Sequence, residues 1–177
     1  MLAHEIAHLL FEGDQILHSS NRLEKNLVSS RFSYKEIEHL CDFGGREILL
    51  PLYSIRAELR NVLPSLSVVM RISDEAECSL VVAAQQICEP IMLWDCTFIF
   101  WQQTGDCLTA REVFPKNKRQ IEILDDANSL VRRSLRSRDI VTGIEKLDLF
   151  DRVETFQAEA ICTGPGSALL MIQNALA

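Results

Sequence analysis

Apolar and polar positions along the chain change rhythm once. Up to about residue 88 the apolar residues recur every three or four positions, the period of a helix. Beyond Pro90 they run together with aromatic and β-branched neighbours, as strands do. Residues 1–12 read as a helix, with Leu2, Ile6, Leu9 and Leu10 at helical spacing and Gly13 as the stop. The polar stretch 13–31 reads as a loop. A second helix follows Ser33. Ser33 and Glu36 fit a capping box, Ile37, Leu40, Cys41, Ile48 and Leu49 give an apolar stripe, and Pro51 ends it. Residues 52–62 predict another short helix, and 66–88 a pair of helices about a turn near Glu77–Ser79, with Ser79 as an N-cap. The run IMLWDCTFIFW predicts a strand, followed by a turn at Thr104–Asp106 and a second strand toward Phe114. Residues 120–150 are mixed, and AEAICTGPGSALLMIQ predicts a hairpin turning at Gly164–Ser167. The fold class is therefore α+β. A helical domain spans 1–89, including a helix-turn-helix-like pair at 66–88, and a strand-rich domain spans 90–177.

Composition narrows this picture. A chain of 177 residues, 47% apolar and 24% charged, has the balance of a soluble globular protein. A formal charge of −7 argues against a dedicated nucleic-acid binder. No apolar run reaches the roughly 18 residues of a membrane helix, and the N-terminus lacks the basic lead of a signal peptide. The six cysteines are scattered with no C-x-x-C pair, so they read as reduced thiols of a cytoplasmic protein, mostly small buried hydrophobes.

The chemistry lies in the first helix. His4, Glu5 and His8 spell H-E-x-x-H. Residues four apart share a helix face, so both imidazoles can hold one Zn2+ at about 2.0–2.1 Å. Glu5, one step round, is misaligned as a ligand but can act as general base on a water whose pKa zinc lowers toward roughly 7. The same spelling also arises by chance on a solvated surface. On the second helix Glu38 and Asp42 are again four apart. One carboxylate can be the third ligand, and the other can accept the N–H of a ligating histidine. Glu36 competes with Glu38 but is better explained by the capping box. His39 points about 100° away from Glu38, and His18 lies in the polar loop. Tyr34 reads as packing, with an oxyanion role as the alternative. Gly44 and Gly45, inside the apolar pattern, suggest close approach by another helix.

LAHEIAHLLFE followed by EHLCDFGGREILLP resembles the ImmA/IrrE family of bacterial metallo-endopeptidases. That family pairs H-E-x-x-H with a downstream segment shaped like E-x-x-A/C-N/D-x-x-A-x-x-L-L-x-P. The resemblance covers residues 2–51 and implies a zincin-like peptidase part. In it His4, His8 and Glu38 hold zinc, Glu5 is the base and Asp42 orients a ligand. The helix pair and strand-rich end resemble members in which a sensor-like α/β domain follows. The family carries a larger residue where Gly44 stands, which implies looser helix packing. Relatives also have strands ahead of the motif, so the resemblance implies an N-terminally truncated peptidase part, with metal binding more secure than activity.

The implied function is zinc-dependent hydrolysis of peptide bonds in a protein substrate such as a transcriptional repressor, in a stress response or a mobile element. The alternative is a non-catalytic regulatory or sensor protein with a degenerate peptidase part. The pair at 66–88 reads as core packing rather than DNA recognition, because SLVVAAQQIC carries no Lys or Arg. The run Arg132, Arg133, Arg136 and Arg138 reads as a solvated helix face, and Trp94 and Trp101 as core.

Overall fold

The computed structural model describes residues 2–18, 33–88, 93–115, 121–123, 128–149 and 153–173. It is an α+β structure. The helices are α1 (Leu2–His18), α2 (Tyr34–Leu49), α3 (Leu52–Leu59), α4 (Leu66–Glu75), α5 (Leu80–Cys88) and α6 (Leu130–Ser137). The strands are β1 (Cys96–Thr104), β2 (Cys107–Phe114), β3 (Ile121–Ile123), β4 (Val141–Leu149), β5 (Val153–Gly164) and β6 (Ser167–Gln173). The chain divides into two compact units, Met1–Ser54 and Ile55–Ala177. The helix pair grouped with the N-terminal domain in the sequence reading packs instead on the sheet of the second unit, through α5 on β1 and β2 and α4 on β5.

In the first unit α1 and α2 lie antiparallel. Helix α1 does not stop at Gly13 but continues to His18. A mid-helix glycine costs about 1 kcal/mol, which good helix formers such as Gln15 and Leu17 offset. His18 is thus the last residue of a helix rather than part of a loop. The remainder of that loop, from residue 19 to 31, lies outside the described residues. The face of α1 turned to α2 carries Ala3 and Ala7, both buried, while Leu2, Ile6, Leu9 and Leu10 are exposed. On α2 the capping box is complete: the Ser33 N–H donates to Glu36 Oε2 at 2.6 Å, and the Glu36 N–H donates to Ser33 Oγ at 3.3 Å. Pro51 ends α2 as expected, and the next amide, Leu52 N–H, donates to Glu47 Oε1 at 2.9 Å.

In the second unit all six strands are antiparallel, in the order β2-β1-β6-β5-β4-β3. Both expected hairpins are present. β1 turns into β2 through Gly105 and Asp106, and β5 into β6 through Pro165 and Gly166. In the second turn proline supplies the fixed φ of the first central position and Gly166, at φ 67°, the left-handed second one. On one sheet face Ile99, Trp101, Leu147, Ala158, Ala160, Leu170 and Ile172 pack with Leu130 and Val131 of α6. The opposite face, with Phe98, Leu169 and Met171 buried, alternates in register with the first. Each buried aliphatic side chain contributes roughly 1.5–3 kcal/mol of transfer free energy.

Two glutamates of the sheet hold the helices on it. Glu159 Oε2 accepts the Leu66 N–H at the start of α4 at 2.7 Å. Ser65, the N-cap of α4, makes no side-chain cap bond there. Glu145 Oε2 accepts the Leu130 N–H at the start of α6, also at 2.7 Å. Ser79 caps α5 as expected, its Oγ accepting the Val82 N–H at 3.2 Å. Trp94 and Trp101 are both buried. Trp94 precedes β1 and donates its indole N–H to the Val62 carbonyl at 3.1 Å, and the register of β1 shifts between Phe100 and Trp101. The six cysteines are free thiols, but only Cys41, Cys88 and Cys96 are buried. No helix among the described residues is long and apolar enough to cross a membrane.

Candidate metal centre

Small residues let α1 and α2 approach closely. An ideal Cβ on Gly45 would stand 3.0 Å from the backbone nitrogen of His4, so the seam is tight at Gly45. With Ala3, Ala7 and Cys41 also buried, the functional groups stand at the edge of this seam.

His4, His8 and Glu38 converge there as the one group among the described residues with three donor atoms gathered as a metal needs. The Nε2 atoms of His4 and His8 are 3.1 Å apart. Glu38 reaches between the rings, with Oε2 3.5 Å from His4 Nε2 and Oε1 3.4 Å from His8 Nε2. Donors about 2.0–2.1 Å from one tetrahedral zinc stand about 3.3–3.4 Å from one another. The three separations bracket that edge, so the donor set fits zinc in type and spacing. The rings meet edge to face, with centroids 4.8 Å apart and planes at 70°.

Asp42 supplies the second expected carboxylate. Its Oδ1 lies 2.9 Å from His4 Nδ1. With the Nδ1 proton donated to Asp42, the lone pair of that imidazole stands on Nε2, the atom turned to Glu38 and His8. The four residues expected to hold or orient a metal are therefore together. Their side chains are part-exposed, from 23% for His8 to 63% for Asp42, so the group is open to solvent.

Glu5 is exposed beside His4 on α1 and does not belong to the donor group. Glu36 is occupied by its cap. The backbone N–H of Ser33, followed by its hydroxyl, holds the Glu36 carboxyl below the usual carboxylate range. His39 is exposed, and the Tyr34 side chain lies outside the described part of the structure. The four-residue spacings picked out the side chains that gather here. Gly45, read from the sequence as a mark of close approach by another helix, does lie against the α1 backbone; Ala3 and Ala7 were not singled out, because a small residue leaves little mark on an apolar pattern.

No protein-family model matches the chain, and no curated protein matches it. Among solved structures the chain is similar to a Mycobacterium tuberculosis transcriptional regulator, with a TM-score of 0.53 and 12% identity over 97% of this chain and 56% of that one. The chain thus spans about half the length of that regulator, and at this identity the likeness is one of fold.

Proposed function

We propose that this chain is a cytoplasmic zinc-dependent endopeptidase of the ImmA/IrrE type, with a zincin-like first unit and a regulatory protein, such as a transcriptional repressor, as its substrate. The observation that carries the reading is the spacing of three donors, 3.1, 3.4 and 3.5 Å, which matches the edge of a zinc tetrahedron. His4, His8 and Glu38 would hold the ion, and Asp42 keeps the His4 ring oriented with Nε2 turned toward Glu38 and His8. When bound there, zinc supplies a Lewis acid for the scissile carbonyl and lowers the pKa of water. Glu5 takes a proton from the attacking water on its carboxylate and returns it to the departing nitrogen. Its exposure leaves it accessible to solvent and to a peptide.

Elemental analysis and a peptidase assay test this. One zinc per chain, lost in His8→Ala, is expected, with hydrolysis abolished in Glu5→Gln while zinc is kept. Zinc retained by His8→Ala counts against the ligand set.

A second reading is supported by the fold likeness to a transcriptional regulator. In it the first unit is a non-catalytic metal site and the chain a regulatory or sensor protein. Zinc bound by wild type and by Glu5→Gln, with no hydrolysis by either, favours this reading.

A further inference from the structure

We propose that Gly45 is a positioning residue for the metal centre: its missing side chain sets how deeply α2 seats on the α1 backbone, and so how far Glu38 stands from His4. The proposal rests on the zinc reading above. A Cβ at position 45 would meet three main-chain atoms of α1: His4 N at 3.0 Å, His4 Cα at 3.1 Å and the Ala3 carbonyl carbon at 3.3 Å. No side-chain rotation relieves such a contact, because the atoms it meets are main chain. Relief requires a separation of the two helices by a few tenths of an ångström.

The position of that displacement decides its effect. The residue that Gly45 presses on is itself a ligand. Glu38 lies seven residues before Gly45, two turns along the same face of α2. Moving α1 at His4 therefore opens the 3.5 Å gap between His4 Nε2 and Glu38 Oε2 directly. It also disturbs the 2.9 Å bond from His4 Nδ1 to Asp42. Ligand distances in a zinc site hold within about ±0.2 Å, so a shift of a few tenths is large on the scale the metal tolerates. Cys41, one turn before Gly45 on α2, is also fully buried. Alanine has the higher helix propensity, so α2 on its own gains from Gly45→Ala, and any loss must come from the seam.

The test compares wild type, Gly45→Ala and Gly45→Ser as full chains, with Zn2+ affinity measured by chelator competition and geometry read from the visible absorption of bound Co2+. Gly45→Ala is expected to bind zinc about tenfold or more weakly, the scale seen when a ligand loses its orientation. Its Co2+ bands should be altered, and its metal-free far-UV circular dichroism should match wild type. Gly45→Ser should be weaker still. Wild-type affinity and wild-type Co2+ bands in both variants overturn the role of Gly45 and leave the metal reading standing. Loss of the metal-free helix signal in both variants reveals a purely structural glycine and also overturns it. A wild-type chain that takes up neither metal overturns the zinc reading, and this proposal with it.

Discussion

Asp42 Oδ1 accepts from His4 Nδ1 at 2.9 Å, on the far side of the ring from the Nε2 atom that faces Glu38. One carboxylate thus fixes the tautomer while another, one turn away on the same helix, joins the donor set. Asp42→Asn keeps the shape but weakens this acceptor. Removing such a partner typically lowers metal affinity by about 10- to 100-fold. Chelator competition with Zn2+ measures it, and unchanged affinity would show that Asp42 does not orient His4.

The Glu36 carboxyl, held below its ordinary value of 4.5 by the backbone and hydroxyl of Ser33, makes the α2 N-terminus pH-dependent. For a depressed pKa the contribution is complete above the unfolded value and disappears as pH falls through the folded one. Melting curves of wild type and Glu36→Gln should therefore differ most near neutrality and converge in acid below the usual carboxylate range. A gap that persists there would assign the difference to something other than this ionisation.

Glu145 is only 4% exposed, and its Oε2 accepts the Leu130 N–H at 2.7 Å. Glu145→Ala leaves that buried amide without its acceptor, a loss of about 1–3 kcal/mol. Glu145→Gln, which keeps a carbonyl oxygen, should lose less. Urea unfolding of the three proteins gives the ordering, and equal stability of the Ala and Gln variants would contradict it.

Arg138, the C-cap of α6, sits in the left-handed region at φ 63°. Side chains with a Cβ are strained there, whereas glycine is not. Arg138→Gly is expected to raise stability by about 0.5–1 kcal/mol, read as a higher urea midpoint at unchanged slope. A lower midpoint would mean that the arginine side chain contributes more than its backbone costs.

Features set by neighbours in sequence were legible. The Ser33–Glu36 cap, the stop at Pro51, the turns at Gly105 and Gly166 and the four-residue spacings of His4–His8 and Glu38–Asp42 all follow from local chemistry. Strand β4 was hidden for a physical reason. Ile144 is 67% exposed while the adjacent Glu145 is buried, so the alternation is inverted where the strand is needed to hold α6. The burial pattern of α1 misled in the same way. Leu2, Ile6, Leu9 and Leu10 are exposed while Ala3 and Ala7 are buried, because a tight helix seam takes small side chains. The basic run at 132–138 does form an amphipathic helix, with Leu130, Val131 and Ser134 inward and Arg133, Arg136 and Arg138 exposed.

Because Glu159 and Glu145 sit in strands yet complete the first turns of α4 and α6, neither helix carries its own full set of instructions. An excised peptide of such length would be coil in water, since fewer than about 12 residues rarely nucleate alone. Helical signal from the second unit should therefore vanish together with its sheet, in one all-or-none step.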